Sequence, residues 1–388
     1  MNSSTIRRIN TARVFHALRE RPGSSQREVG RITKLDKATV SAIVAQLLEE
    51  GLVERIEPDR TRRVGRPETA LGIAPSAGLL VGARLEPAAI RVVATTLAGD
   101  VRHDLQIPGS TDISRALSLL HDGIASVLAE SGGARLRAIG IGMPALMDRT
   151  GRLVLAPNLG WRDAPIRPML QAALEAPVYV DNDTKAAAMA ERLFGCCRDV
   201  DDFVFLTGHS GVGGGLVLGG KLYRGATGFA GEIGHVTVEP GGHLCGCGKR
   251  GCLETYVSEA AILSRASVLG RNLPDLWAVA AAAASGDAVV LGLLDEAGMR
   301  LGMALSHLVN LVNPSLVVLG GNLAVVADQI MPALERTLSQ HALEPMLRNL
   351  RIQVSPLGPD AVPMGGIALA MEGFLAAPET LAVELLRS

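Results

Sequence analysis

Three cysteines and a histidine crowd into residues 228–258, and this segment constrains the fold more than any other part of the chain. The four side chains are His235, Cys245, Cys247 and Cys252. Three thiolates and an imidazole form a ligand set typical of a tetrahedral structural Zn²⁺ site. Glycines between the cysteines allow the tight turns that bring the sulfurs together. The spacing therefore predicts that a zinc ion organises this segment.

The residue types alone leave alternatives to this zinc site. The cysteines are also compatible with packing as small hydrophobic residues, or with a disulfide, which requires an oxidising compartment. His243 competes with His235 for the fourth ligand position, because spacing does not separate the two. The remaining cysteines, Cys196 and Cys197, are adjacent in a mostly apolar stretch, which favours packing over chemistry.

Two carboxylates, Glu232 and Glu254, stand at the edges of the ligand cluster. A zinc ion that only stabilises a fold, through four protein ligands, does not require these two carboxylates. We therefore expect that the cation shapes a polar binding site in addition to stabilising the loop.

Length and charge indicate domains with different partners. A chain of 388 residues is too long for one hydrophobic core. The net charge of −1 argues against a protein that coats nucleic acid along its whole length. Residues 1–70 nevertheless contain fourteen Lys and Arg against nine Asp and Glu. A basic head on an acidic body is typical of a DNA-binding module attached to another domain.

The sequence also favours a cytoplasmic location. Its first residues lack the apolar stretch of a signal peptide. No unbroken apolar run reaches the roughly 18 residues that a membrane span needs. We expect no membrane partner.

Residues 1–75 predict a winged helix-turn-helix domain. Helices are expected at 10–20, 25–32 and 36–50, and two short strands at 52–56 and 69–73. Ser25 and Glu28 form a capping-box pattern, and Asp36 is a candidate N-cap. A small helical module for protein interaction is the alternative, but the arginine-rich loop between the strands favours double-stranded DNA. The candidate DNA contacts are Lys37, Thr39 and Ser41 on the third helix, with Arg62, Arg63 and Arg66 on the wing.

Residues 78–388 predict a two-lobed α/β body. The first block contains a hairpin at 79–85 and 90–97, a helix at 113–130, strands at 138–141 and 178–180, and a helix at 184–194. The second block contains strands at 203–206 and 216–218, a long helix at 288–310 and a buried strand that enters a Gly turn at 316–321. Alternating strands and helices in two halves suit a central cleft.

The body resembles the ROK family of repressors, open reading frames and kinases. The resemblance rests on the Gly-Glu-Ile-Gly-His motif that ends at His235 and on the following Cys-Gly-Cys-Gly-Lys-Arg-Gly-Cys-Leu-Glu motif, which starts at Cys245 and ends at Glu254. It implies an actin-like, ribonuclease H-like sugar-kinase fold. It also implies that His235, rather than His243, completes the zinc site.

The resemblance further implies a sugar pocket. Its expected sugar-binding residues are Asn158, Asn182, Asp183, Glu232, His235 and Glu254. In the kinases of the family, the aspartate that matches Asp183 is the general base for the attacking sugar hydroxyl. In this chain Asp183 is also a candidate N-cap for the helix at 184–194.

One loop distinguishes a sensor from a kinase. ROK kinases carry an Asp-x-Gly-Gly-Thr loop whose glycines approach the nucleotide phosphates. Here the matching residues are Arg84, Leu85, Glu86, Pro87 and Ala88. A carboxylate and a proline replace the two glycines, and proline lacks an amide donor. We therefore expect sugar binding without efficient phosphoryl transfer, and we do not expect ATP and Mg²⁺ as cofactors.

Together these features predict a sugar-responsive transcriptional repressor with a structural zinc ion. Its partners would be an operator, a sugar effector and a second copy of the chain, as a homodimer or a dimer of dimers. An ATP-dependent sugar kinase with a DNA-binding head is the main alternative. A zinc-stabilised interaction protein that binds no sugar is the third hypothesis.

Overall fold

The N-terminal head has the three predicted helices and two predicted strands, but its first helix begins at Ser3 and not at residue 10. The computed structural model describes residues 3–56, 69–208 and 211–376. The head consists of α1 (Ser3–Glu20), α2 (Gln26–Thr33), α3 (Lys37–Glu49), β1 (Val53–Ile56) and β2 (Ala70–Ile73). The two strands pair antiparallel and form the wing. The wing arginines Arg62, Arg63 and Arg66 lie outside the described residues.

Local hydrogen bonds explain where the head helices begin. The Ser25 amide donates to Glu28 Oε2 at 2.9 Å, and the Glu28 amide donates to Ser25 Oγ, so the predicted capping box starts α2. Asp36 accepts the Thr39 amide at 2.9 Å and caps α3. These bonds satisfy amides that have no partner within the helix.

A five-stranded mixed sheet forms the first lobe. Its sequence elements are β3 (Leu79–Leu85), β4 (Ala89–Thr96), β5 (Val101–Pro108), α4 (Ile113–Glu130), β6 (Leu136–Met143), β7 (Leu146–Met147), β8 (Leu153–Ala156), β9 (Trp161–Ala164), α5 (Ile166–Ala173), β10 (Val178–Asn182) and α6 (Asp183–Leu193). The strand order is β10-β6-β3-β4-β5, with β10, β6 and β3 parallel. The remaining strands, β7, β8 and β9, form a small antiparallel sheet. The predicted hairpin and helices of this block are confirmed.

A second five-stranded sheet forms the other lobe. Its elements are β11 (Phe203–Gly208), β12 (Val212–Leu218), β13 (Lys221–Leu222), α7 (Glu254–Val257), α8 (Glu259–Val268), α9 (Leu276–Ala284), α10 (Ala288–Val312), β14 (Leu316–Gly320), α11 (Ala327–His341), α12 (Glu344–Leu347) and β15 (Arg351–Val354). The order is β13-β12-β11-β14-β15, with β11, β14 and β15 parallel. Val204 and Leu206 face one core of this lobe, while Phe203 and Phe205 face another, as strand alternation requires.

The last described helix, α13 (Ala361–Ala376), returns to the first lobe and lies against its sheet. Glycines allow this close approach. A Cβ on Gly140 of β6 would stand 1.9 Å from the carbonyl oxygen of Gly366 on α13. Any larger residue at Gly140 would separate the helix from the sheet.

The head shares a hydrophobic core with the body. Phe15 and Leu18 of α1 belong to the same buried cluster as Leu193 of α6 and Met371 of α13. His16 Nε2 also approaches Glu372 Oε1 to 3.5 Å. The head is therefore packed against α6 and α13 and does not hang from a free linker.

Within the described residues, no single helix has the length and apolar composition of a membrane span. Helices α9 and α10 meet that criterion only when taken together, and the chain bends by 115° between them.

Candidate functional site

The predicted ligand cluster comes together in the second lobe. His235 ends a short 3₁₀ turn, Ile233–His235, and the three cysteines lie on the loop that follows. The four ligand atoms all lie within 4.8 Å of one another. His235 Nδ1 is 3.7 Å from Cys245 Sγ, and Cys247 Sγ is 3.7 Å from Cys252 Sγ.

These distances suit one bound cation. Around a tetrahedral Zn²⁺, with bonds of about 2.3 Å to sulfur and 2.0 Å to nitrogen, neighbouring ligand atoms stand roughly 3.5–3.8 Å apart. His243 is not part of this group, because its ring packs against Tyr256 with centroids 5.1 Å apart. The cluster could therefore hold a metal ion, with His235 as its nitrogen ligand.

Burial affects the protonation of the sulfurs in this cluster. Burial raises the pKa of Cys245 to about 12. A metal binds the thiolate, so a bound cation supplies the positive charge that stabilises this buried anion. His235 Nδ1 faces the sulfurs, which leaves its Nε2 as the nitrogen available to a neighbouring ligand.

Glu254 connects the metal cluster to the glycine-rich strand β12. Its Oε2 accepts the Val212 amide at 3.2 Å, and its Oε1 accepts the Cys245 thiol at 3.5 Å. A Cβ on Gly211 would come within 2.5 Å of Glu254 Oε2. The carboxylate is consequently held in a defined place beside the cluster and is not a loose surface charge.

A cavity of about 620 Å³ opens between the lobes next to the cluster. Both lobes contribute side chains, as expected for a ligand site between two α/β units. All six residues predicted to bind sugar line it: Asn158, Asn182, Asp183, Glu232, His235 and Glu254. Trp161, whose Nε1 donates to the Thr111 carbonyl, adds an aromatic surface.

The cap of α6 differs from the sequence-based alternative. Asn182, rather than Asp183, is the N-cap, because its Oδ1 accepts the amides of Thr184 and Lys185 at 3.0 and 3.1 Å. Asn182 Nδ2 also donates to the Ala145 carbonyl at 3.2 Å. Asp183 is the first residue of the helix and accepts the Thr184 amide at 2.8 Å. The two side chains are thus fixed at the carboxyl end of β10, on the floor of the cavity.

Sequence reasoning missed two cations beside the cavity. Lys185 is buried on α6, and its Nζ donates to the Gly228 carbonyl at 2.5 Å. It thus connects the first lobe to the start of residues 228–258, the predicted zinc segment. Arg224 pairs with Asp181 at the end of β10. The local sequence around Lys185, which is followed by alanines, does not predict this role, because the contact depends on Gly228, far along the chain.

The charge of Lys185 also acts on Glu232. Burial raises the pKa of Glu232, while the positive charge of Lys185 lowers it in part. Burial also disfavours the charged form of Lys185, and for an amine this lowers the pKa. The two groups therefore stabilise each other's ionised form at the edge of the cavity.

The first hairpin of the body also reaches the cavity, through Arg84. Arg84, at the end of β3, lines the cavity and pairs with Glu86 in the turn. Both side chains are mostly buried, with 16% and 12% of their surfaces exposed. An arginine and a glutamate thus occupy this turn, which the family resemblance predicts to match the nucleotide loop of the kinases.

The predicted DNA-contact residues on α3 lie at its first turns. Lys37 and Ser41 are exposed, and Thr39 is half-buried. The Thr39 hydroxyl donates to Asp36 Oδ2 at 2.6 Å, so Thr39 also serves the cap. Lys34, in a left-handed conformation in the turn between α2 and α3, is a further exposed cation near this surface.

Comparison with known proteins identifies both parts of the chain. Residues 81–372 match the ROK family, and residues 7–64 match the MarR family. The chain belongs to the ROK family. The predicted fold class is confirmed: an N-terminal winged helix of the MarR type precedes a ROK body with the actin-like sugar-kinase fold.

Three relatives show how far the similarity extends. A xylose repressor from Caldicellulosiruptor bescii is 30% identical to this ROK protein, over 97% of this chain and 99% of its own length. The crystal structure of a ROK family transcriptional regulator, a homolog of the E. coli MLC protein, has a TM-score of 0.82 at 27% identity, and covers 96% of this chain and 97% of its own. A ROK family glucokinase from Streptomyces griseus, in complex with glucose and AMPPNP, has a TM-score of 0.67 at 29% identity, and covers 76% of this chain and 100% of its own. Similarity to the regulators therefore includes the head.

Proposed function

We propose that this ROK protein is a cytoplasmic transcriptional repressor that responds to a monosaccharide. The observation that carries the proposal is that α6 contacts both the cavity and the head. Its first turn lies in the cavity that the six predicted sugar-binding residues line, and its last residues contact the DNA-binding head. Full-length similarity to a xylose repressor supports the same function.

The α6 contacts supply a route from the cavity to the head. Arg19, at the end of α1, donates from Nη2 to the Leu193 carbonyl at 2.8 Å. Its guanidinium also lies over the Phe194 ring, 5.0 Å from the centroid. A sugar that draws Asn182 and Asp183 toward the zinc segment would move α6, and the head would move with it. The sugar regulates only if it binds the two head positions with different affinity.

The proposed effector is a monosaccharide because the cavity offers carboxylates, amides and an imidazole to hydroxyl groups, with Trp161 as an apolar surface. In this proposal, His235, Cys245, Cys247 and Cys252 hold a structural Zn²⁺. The ion supplies charge and geometry that fix the loop. Its histidine ligand can then present the second ring nitrogen to the sugar.

The proposed DNA site is an operator with two half-sites. A homodimer, or a dimer of dimers, would place one α3 helix in the major groove of each half-site, through Lys37, Thr39 and Ser41. The wing residues Arg62, Arg63 and Arg66 would contact phosphates or the minor groove.

Two measurements on the same protein test this function. Thermal unfolding of the full chain is followed with D-xylose, D-glucose and N-acetylglucosamine; one sugar at about 100 times its Kd should stabilise the protein by about 2.7 kcal/mol. That sugar should also change the affinity for duplexes selected from a random pool by roughly 5–150-fold, the usual range of coupling between two sites. A protein that binds sugar but whose DNA affinity never changes would contradict the proposal.

The wing assignment has its own test. Arg66→Ala should weaken binding to the selected duplexes at fixed salt, while sugar binding stays unchanged. Arg102→Ala, which removes an exposed arginine on β5, is the matched control for the loss of charge. Equal affinities for both variants would contradict the wing assignment.

A sugar kinase is the second candidate function, because Asp183 is retained in the cavity and the Streptomyces griseus glucokinase shares the body fold. A coupled ATP assay across the same sugars distinguishes the candidates. We expect no robust turnover, since Arg84 and Glu86 fill the turn where phosphates would lie. Turnover that Asp183→Asn abolishes would favour the kinase.

A further inference from the structure

A second cluster of metal-binding side chains lies outside the cavity, just beyond the end of α6. It consists of Glu191 on the last turns of that helix and of Cys196 and Cys197 in the turn that follows. The Glu191 side chain is fully buried, as is Cys197, while Cys196 is half-buried. The sequence predicted an apolar packing pair here, and the structure confirms the packing, because Cys197 belongs to a buried hydrophobic cluster and Cys196 packs against it. The buried carboxylate beside the thiols is a further feature that the sequence did not predict.

Glu191 accepts three hydrogen bonds, and none of the donors is a cation. Within the described part of the chain, they are the Ser355 hydroxyl, the Cys196 amide at 3.1 Å and the Cys196 thiol at 3.4 Å. Burial of an ionised carboxylate without a compensating positive charge is costly. A metal ion at this place would bring positive charge directly to the carboxylate, which its three hydrogen-bond donors do not do.

The ligand atoms are spaced as a tetrahedral cation requires. Cys196 Sγ lies 3.9 Å from Cys197 Sγ and 3.4 Å from Glu191 Oε2. Around a tetrahedral ion with bonds of about 2.3 Å to sulfur and 2.0 Å to oxygen, two sulfurs stand roughly 3.8 Å apart, and a sulfur and an oxygen roughly 3.5 Å apart. The cysteine pair of the zinc segment, Cys247 and Cys252, has nearly the same separation, 3.7 Å.

Neighbouring residues hold this arrangement in place. Ser355, just after β15, bonds the second oxygen of the Glu191 carboxylate and leaves Oε2 facing the sulfurs. Gly195 lets the turn close over that carboxylate, because a Cβ there would stand 1.9 Å from Oε2. The half-buried Cys196 leaves a side from which an ion and one solvent ligand can enter.

We infer that Glu191, Cys196 and Cys197 form a second metal site, for a thiophilic divalent cation such as Zn²⁺ or Cd²⁺. Two thiolates and a carboxylate make a ligand set of net charge −3, which suits a borderline or soft dication. The fourth position belongs to solvent. Binding releases the protons of both thiols and leaves the sulfurs unoxidised.

The location gives the site a structural consequence. The turn that holds Cys196 and Cys197 follows directly after Leu193 and Phe194, the two residues that contact Arg19 of the head. An ion at this position would join the end of α6 to the turn that follows it, and Ser355 already connects Glu191 to the chain after β15. The ion would thus fix the surface on which the head rests, whatever the ligand of the cavity.

Cadmium titration of the full chain tests this inference. The reduced protein is stripped with a chelator, titrated with Cd²⁺, desalted and assayed for bound metal and for thiolate-to-cadmium absorption in the ultraviolet. We expect two tightly bound ions per chain. The double variant Cys196→Ser, Cys197→Ser should retain one. The matched control Cys247→Ser, Cys252→Ser, which also removes two thiols, should retain the other one.

A wild-type chain that binds no ion overturns the inference, and so does a single bound ion that the Cys196→Ser, Cys197→Ser variant retains. Two ions in the Cys196→Ser, Cys197→Ser variant would overturn it as well. Glu191→Gln tests the carboxylate separately, because an amide oxygen is a weaker ligand. We expect at least tenfold weaker binding at this site alone, with the absorption of the zinc segment unchanged. Equal affinity for this variant and the wild type would remove Glu191 from the ligand set.

Discussion

The two walls of the cavity are built in different ways. The wall formed by the zinc segment holds its polar side chains through contacts with several elements: Glu254 bonds Val212 and Cys245, and Lys185 bonds Gly228. The wall formed by the first hairpin depends on one pair, Arg84 with Glu86, two residues apart. The predicted sugar-binding side chains of the first wall therefore have several supports, while the second wall rests on one local ion pair. In our proposal, this difference makes the protein a sugar sensor and not a sugar kinase.

The largest effect is expected from the metal ligands of the first wall. Cys247→Ser removes the exposed ligand of the cluster and leaves the buried core intact. We expect loss of the ion from the zinc segment and roughly 100-fold weaker sugar binding, because the metal orients His235. Metal analysis and sugar titration of the same sample check both. Full sugar affinity after loss of the ion would show that the cluster has a structural role only and does not contribute to sugar binding.

A carboxylate on that wall should have the next largest effect. Glu232→Gln keeps the shape of the side chain but removes the charge that strengthens hydrogen bonds to sugar hydroxyls. We expect sugar binding to weaken roughly 10–100-fold, corresponding to 1.5–3 kcal/mol. Glu335→Gln, on the exposed surface of α11, is the matched control. Titration calorimetry measures both, and equal affinities would move Glu232 out of the sugar site.

Coupling between the walls and the head should respond to Arg19. Arg19→Ala removes the hydrogen bond to Leu193 and the contact with the Phe194 ring, at a cost of about 1–3 kcal/mol. Sugar affinity should change little, whereas the sugar-dependent change in DNA affinity should shrink about fivefold or more. Arg21→Ala, an exposed neighbour, is the control. If the sugar response is undiminished, transmission does not pass through this contact.

The second wall should give the smallest effect. Arg84→Ala breaks the pair with Glu86, and we expect sugar affinity to change less than about threefold, because no predicted sugar contact depends on this pair. The same titration used for Glu232→Gln measures it. A loss as large as that of Glu232→Gln would mean that the hairpin wall also recognises the sugar, and the contrast between the walls would disappear.

Features that depend on nearby residues could be predicted from the sequence. The capping box at Ser25 and Glu28 and the helix Ile113–Glu130 follow from short-range patterns, and the structure has both. The clustering of His235 with the cysteines was equally accessible, because all four residues lie on one short segment.

Features that join distant parts of the chain could not be predicted. The cap of α6 is Asn182 because the amide oxygen reaches two backbone amides, a matter of geometry that a run of Asp-Asn-Asp does not reveal. The surroundings of Cys196 depend on Glu191 and Ser355, which are far apart in the sequence. The docking of Arg19 on Leu193 is likewise a product of tertiary packing.

The close contact between Gly140 and Gly366 has a consequence for how the protein is made. The sheet of the first lobe, and the surface under the head, are incomplete until α13 has been synthesised, long after the strands it covers. Contacts between such distant segments fold slowly, and a growing chain exposes the uncovered apolar face in the meantime. We therefore expect the head to pack against the body only after α13 has been synthesised. A truncated product that lacks α13 would carry the DNA-binding head without the surface against which it packs.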